Sequence, residues 1–74
     1  MDVDEILDVR KMTCPMPVLK TKKKIKELGS GKILKIIGDF RPAKTNIKNF
    51  LDKEGIKILN IEDNGKEYCF YVQT

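Results

Sequence analysis

Hydrophobic positions change their spacing along the chain, and the changes mark its elements. Leu7 and Val9 alternate within Ile6–Val9, which predicts a short strand with one buried face. From Met16 to Leu28 the period lengthens: Val18, Thr21, Ile25 and Leu28 recur at helical intervals, and Gly29 supplies a stop. The lysines of that stretch project away from the stripe, and Met16 and Leu19 also fall off it, so both are expected at the surface. The Gly29-Ser30-Gly31 turn leads into Ile33-Leu34-Lys35-Ile36-Ile37, a nearly continuous apolar run that predicts an interior strand closed by Gly38-Asp39-Phe40-Arg41. A second helix begins near Pro42, sets Ala43, Ile47, Phe50 and Leu51 on one face, and meets a C-cap signal at Gly55. Ile56–Glu62 reads as a strand whose broken alternation suggests a bulge. Asn64-Gly65 signals a two-residue hairpin, after which Tyr68, Phe70 and Val72 alternate with Cys69 and Tyr71 in a last strand.

The predicted order is βαβαββ, a single domain over residues 1–74 of α/β (α+β) type. Right-handed crossovers place both helices on one face of a mixed four-stranded sheet, giving a two-layer sandwich. A chain of 74 residues cannot enclose a large substrate cavity. Its chemistry belongs on the surface at an element terminus, with specificity supplied by docking to a larger partner.

Met12-Thr13-Cys14-Pro15-Met16-Pro17-Val18 is the most informative stretch. Prolines fit the first turn of a helix, where a missing N–H is harmless and φ is already correct. Cys14 is thus expected as N-cap with Pro15 as first helical residue, its sulfur facing the positive end of the helix dipole. That position favours thiolate and makes Cys14 a candidate nucleophile or sulfur carrier; the ordinary alternative is a small apolar residue where a loop enters a helix. Pro15 and Pro17 offer no amides, so Cys14 and Met16 would supply a narrow donor set, suited to one sulfur atom and poor for phosphate.

Charge and cysteine usage narrow the chemistry. Net charge is +4, and Arg10, Lys11, Lys20, Lys22, Lys23, Lys24 and Lys26 fill the interval between Asp8 and Glu27 with no acidic residue among them. Such a run is usually a solvated helix face; around Cys14 it would also lower the thiol pKa and steer acidic partners. The chain holds 2 cysteines and no histidine, which excludes a hydrolase with an imidazole base and argues against a structural zinc site, so no metal or cofactor is expected. There is no Cys-x-x-Cys pair, and Cys69, flanked by aromatics in a strand, is read as packed. Without a base or pocket beside it, Cys14 suits a sulfurtransferase-type carrier with no autonomous turnover, whose partner supplies acid, base and shielding. No apolar run reaches membrane-spanning length and the start is acidic, so a cytoplasmic protein is expected.

Leu7-Asp8-Val9-Arg10 followed by Cys14-Pro15-Met16-Pro17-Val18 resembles the signature of the TusA/SirA-like sulfur-carrier family, and the predicted element order is similar over the whole length. The resemblance implies a two-layer sandwich like the C-terminal domain of translation initiation factor three, with a persulfide on Cys14. It implies as partners a cysteine desulfurase or rhodanese donor and a sulfur-acceptor protein, in relays such as tRNA thiolation, cofactor assembly or sulfur oxidation, or in selenium metabolism. Nucleic acid would enter only indirectly, no membrane is involved, and a monomer is expected. Two places depart from the family pattern. Lys11 stands where glycine is usual, and the second motif, Asp-Pro then Asp-Ile, reads Phe40-Arg41 with Asn46-Ile47, flanked by Asp39 and Pro42. That second loop is expected near the cysteine. Arg10, Lys11, Met16, Lys20 and Arg41 are candidate partner contacts, and Asp8 and Asp39 candidate loop caps. A different class remains in view: a small basic nucleic-acid-binding or regulatory module in which the Cys-Pro-x-Pro run only starts a helix. Against nucleic acid, Tyr68, Phe70, Phe40 and Phe50 look committed to the core, leaving no stacking platform.

Overall fold

The structure, a computed structural model, describes residues 3–13 and 15–74; Cys14 lies outside the described residues. These fold into β1 (Glu5–Asp8), α1 (Met16–Leu28), β2 (Ile33–Gly38), α2 (Arg41–Lys53), β3 (Lys57–Asp63) and β4 (Tyr68–Gln73). The four-stranded sheet has the order β1-β2-β4-β3, with β1 parallel to β2 and the other pairs antiparallel. The βαβαββ order and the mixed sheet are as the periodicity predicts. Strand ends differ by a residue: β1 stops at Asp8, and β3 starts and ends one position later than Ile56–Glu62.

The apolar run of β2 resolves into two faces. Leu34 and Ile36 are fully buried opposite Val72 and Phe70, and Gly38 is buried opposite Tyr68. On that face α2 buries Ala43, Ile47 and Leu51, while Val18, Ile25, Leu28 and Phe50 pack at the margin of the core. On α1 the buried positions are Pro17 and Thr21, and the Thr21 hydroxyl donates to the Pro17 carbonyl at 2.8 Å, so no polar group is left open there. The opposite sheet face is covered by no helix and is held by polar contacts. Lys35 Nζ lies 5.5 Å from the Tyr71 ring centroid, and the Tyr71 hydroxyl donates to Glu62 Oε1 at 2.7 Å.

The broken alternation of β3 is a register shift between Ile58 and Asn60, a bulge as expected. The hairpin after it is longer than the sequence signal implies: residues 64–67 separate the paired ends Asp63 and Tyr68. The Asn64 side chain shapes the turn, its Oδ1 accepting the N–H groups of Lys66 at 2.9 Å and Glu67 at 2.8 Å, while the Asn64 N–H donates to the Glu67 carbonyl at 3.1 Å. Gly65, at φ +92°, takes the left-handed position.

Candidate functional site

Because β1 and β2 are parallel, both helices start at the same end of the sheet, just past the carboxyl ends of those strands. The first helix spans Met16–Leu28 as the periodicity predicts, with its cap one residue later than expected. Pro15 is the N-cap, its carbonyl accepts Leu19 N–H at 3.1 Å, Met16 is first in the helix, and Pro17 takes the first-turn position. The cap expected at Cys14, which lies outside the described residues, falls at Pro15: either proline satisfies the helical φ, and the backbone bond selects the later one. The amide of Met16 is engaged as well, donating to the Thr13 carbonyl at 2.9 Å. It is thus not the free donor that the sequence suggested for holding a sulfur.

The loop leading to the cysteine is tied down from several directions. Val9 is fully buried, and its N–H donates to the Ile37 carbonyl at 2.7 Å. Asp8 Oδ1 accepts the backbone N–H of Arg10 at 2.9 Å and its Nε at 3.0 Å, while Oδ2 takes Nη2 at 2.8 Å. These bonds to Arg10 hold the Asp8 carboxyl down to about 2. Nη1 of Arg10 reaches Glu67 Oε2 at 3.3 Å. Lys11 sits at φ +65°, the single non-glycine residue with positive φ among those described, and its N–H donates to Asp39 Oδ1 at 2.9 Å. Asp8 and Asp39 thus act as the loop caps the sequence suggested, and the loop before α2 does touch the cysteine loop. Asp8, Arg10, Lys11, Asp39 and Glu67 line an open concavity of about 460 Å³.

This geometry corrects the expected positive field. The acidic-free interval is real in sequence, but folding brings Asp8, Asp39 and Glu67 to Arg10 and Lys11. Arg10 is spent on two carboxylates. Arg41, beside the neighbouring loop, is likewise forked onto Asp63 at 2.6 and 2.9 Å, and Lys44 joins the same carboxylate at 2.8 Å. Both arginines remain solvent-accessible, at 44% and 48%. Further along α1, Lys22, Lys23 and Lys26 are exposed and form no ion pair among the described residues, and Lys20 is half-buried beside Leu7, Lys23, Lys24 and Glu27. Met16 and Leu19 stand exposed at the start of that helix, at 41% and 51%.

Cys69 is remote from this arrangement in character. It pairs with Ile37 and Glu62 on the helix-free face and is half-buried. Burial pushes its thiol up, with Glu62 and Glu67 adding to the effect against Lys35 and Arg10. Glu67 and Asp63 were invisible as site residues, since their partners lie far off in sequence. Lys11 carried a signal: a residue in the place of a usual glycine points to positive φ. Among the described residues one buried side-chain polar atom has no hydrogen-bond partner, the Tyr68 hydroxyl, pressed against Gly38 in the core. Burial raises it to about 12.

Two helices on one face of a mixed four-stranded sheet define a small two-layer α+β sandwich, with a lysine-rich helix following the loop after β1. Comparison with known proteins gives the family. The sulfurtransferase TusA family matches residues 5–74, and the chain belongs to it. A protein of Methanocaldococcus jannaschii named as a candidate sulfur carrier is 42% identical over 67 residues, covering 90% of this chain and 89% of that protein. The sulfur carrier protein TusA of Buchnera aphidicola is 34% identical over 74 residues, covering 99% of this chain and 94% of the relative. The crystal structure of a SirA-like protein from Desulfitobacterium hafniense superposes with a TM-score of 0.81 at 21% identity, covering 95% of this chain and 96% of that one, and supports the fold. Among the described residues no helix is long and apolar enough to cross a membrane.

Proposed function

We propose that this protein carries sulfur as a persulfide on Cys14, accepting it from a cysteine desulfurase or rhodanese and passing it to an acceptor protein in the cytoplasm. The family match over residues 5–74 carries this reading, because its relatives are named sulfur carriers and the chain has one cysteine in the Cys-Pro-x-Pro run. In the loading step the Cys14 thiolate attacks the terminal sulfur of the donor persulfide. A new S–S bond forms on Cys14, the donor's S–S bond breaks, and the donor cysteine leaves as thiolate, with no net oxidation. Delivery repeats the exchange with the acceptor as nucleophile. The exposed apolar pair Met16 and Leu19, with Lys20 and Lys23 behind it, supports docking at the start of α1. A nucleic-acid role draws no support from the aromatics, as Tyr68 and Phe70 are fully buried and Phe50 packs at the core margin.

Intact mass after incubation with a cysteine desulfurase and cysteine tests the proposal. The wild type should gain the mass of one sulfur atom, reversibly by reductant, and Cys14→Ser should gain none.

A further inference from the structure

Lys11, just ahead of Met12-Thr13, is held at a backbone angle that side-chain-bearing residues avoid, since the Cβ crowds the following carbonyl. Its restraint comes from far along the chain. Asp39 Oδ1, in the connection between β2 and α2, accepts the Lys11 N–H at 2.9 Å. Arg10, immediately before, is forked onto Asp8 and reaches Glu67, the residue just ahead of β4. Asp39 is itself seated by packing. It follows Gly38, where any Cβ would collide with the ring and hydroxyl of the fully buried Tyr68, so the strand end carrying Asp39 lies fixed against the core.

We propose that Asp39 is a positioning residue for sulfur transfer: by accepting the Lys11 amide it holds the left-handed turn that presents the Met12-Thr13-Cys14 run to partners. The role requires its acceptor oxygen, not its charge. This inference rests on the reading of Cys14 as the carrier, and it makes the cysteine loop dependent on a residue in the second loop. Strained backbone persists only where its surroundings over-determine it, and here one side-chain oxygen supplies the bond that spans the loops.

The experiment uses the full chain in a Cys69→Ser background and measures two rates, sulfur loading from a cysteine desulfurase and alkylation of Cys14 by iodoacetamide, with circular dichroism confirming the fold. Asp39→Ala should slow loading about fivefold and move the alkylation rate by a similar factor toward that of the urea-unfolded chain, the effect of one lost hydrogen bond. Asp39→Asn keeps the acceptor and should restore both rates. Lys11→Gly, added to Asp39→Ala, should restore them in part, because glycine adopts the turn without help. Asp52→Ala, which breaks only an exposed pair with Lys48, should change neither rate. Wild-type rates in Asp39→Ala, or an Asn variant no better than Ala, would overturn the assignment. If the wild type takes up no sulfur, the carrier reading fails, and the alkylation series alone then decides the role of Asp39.

Discussion

Replacing Lys11 with glycine should stabilise the protein, and the size of the gain follows from the backbone. Lys11 lies at φ +65°, where an L-residue is disfavoured by about 1–2 kcal/mol relative to glycine. Glycine returns about 0.4–1 kcal/mol of this, because it adds freedom to the unfolded chain. The net expectation is a gain of about 0.5–1 kcal/mol, and for a domain of this size that corresponds to a rise in melting temperature of about 2 to 8 °C. The Asp39 bond survives the change, since it uses the backbone N–H. Lys11→Ala is the necessary control: it removes the same side chain and keeps the Cβ, so it should show no such gain. Thermal and urea unfolding of the three proteins decide the matter. A glycine variant no more stable than the alanine variant would refute the argument that this turn is strained.

Other expectations follow from the same geometry. The Asp8 carboxyl is lowered from 3.8 to about 2 by Arg10, so the pairing stabilises the fold above about pH 4 and fades as pH falls toward 2. Urea midpoints measured across that range should fall for the wild type and less steeply for Asp8→Asn. Gly38→Ala should destabilise by about 1–3 kcal/mol, because the new methyl meets the Tyr68 phenol within the core; unchanged denaturant stability would show that the ring can move aside. Charge reversal at Lys20 and Lys24 should slow sulfur transfer to a partner protein, and the defect should shrink at high salt. A defect independent of salt would mean that these lysines act by contact and not by steering.

How legible this protein was depends on how local each determinant is. The helix Met16–Leu28 could be read to its ends, because the prolines and Gly29 punctuate a clear period. The bulge in β3 showed as broken alternation, and the buried face of β4 (Tyr68, Phe70 and Val72) followed from spacing of two. The identity of the N-cap was not legible, since Pro15 and Pro17 fit a first turn equally well and a backbone hydrogen bond makes the choice. Hairpin length escaped for a related reason: the Asn64 side chain takes the Lys66 and Glu67 amides within the turn, which Asn-Gly alone does not announce. The electrostatics of the cysteine loop were misjudged because Glu67 lies 57 positions from Arg10, and Asp39 lies 28 from Lys11. A charge count along the sequence cannot see carboxylates delivered by the sheet. The departure from glycine at Lys11 was visible, and its consequence, a left-handed turn needing outside support, became plain only with the backbone in place.

The central claim is that sulfur travels on Cys14 and on no other residue. After loading with a cysteine desulfurase and cysteine, alkylation and proteolysis under non-reducing conditions followed by peptide mass spectrometry place the sulfur directly. The account predicts the added sulfur on the peptide containing Cys14, its presence in Cys69→Ser, and its loss when an acceptor thiol is supplied. Sulfur on the Cys69 peptide instead, or on neither, would contradict it.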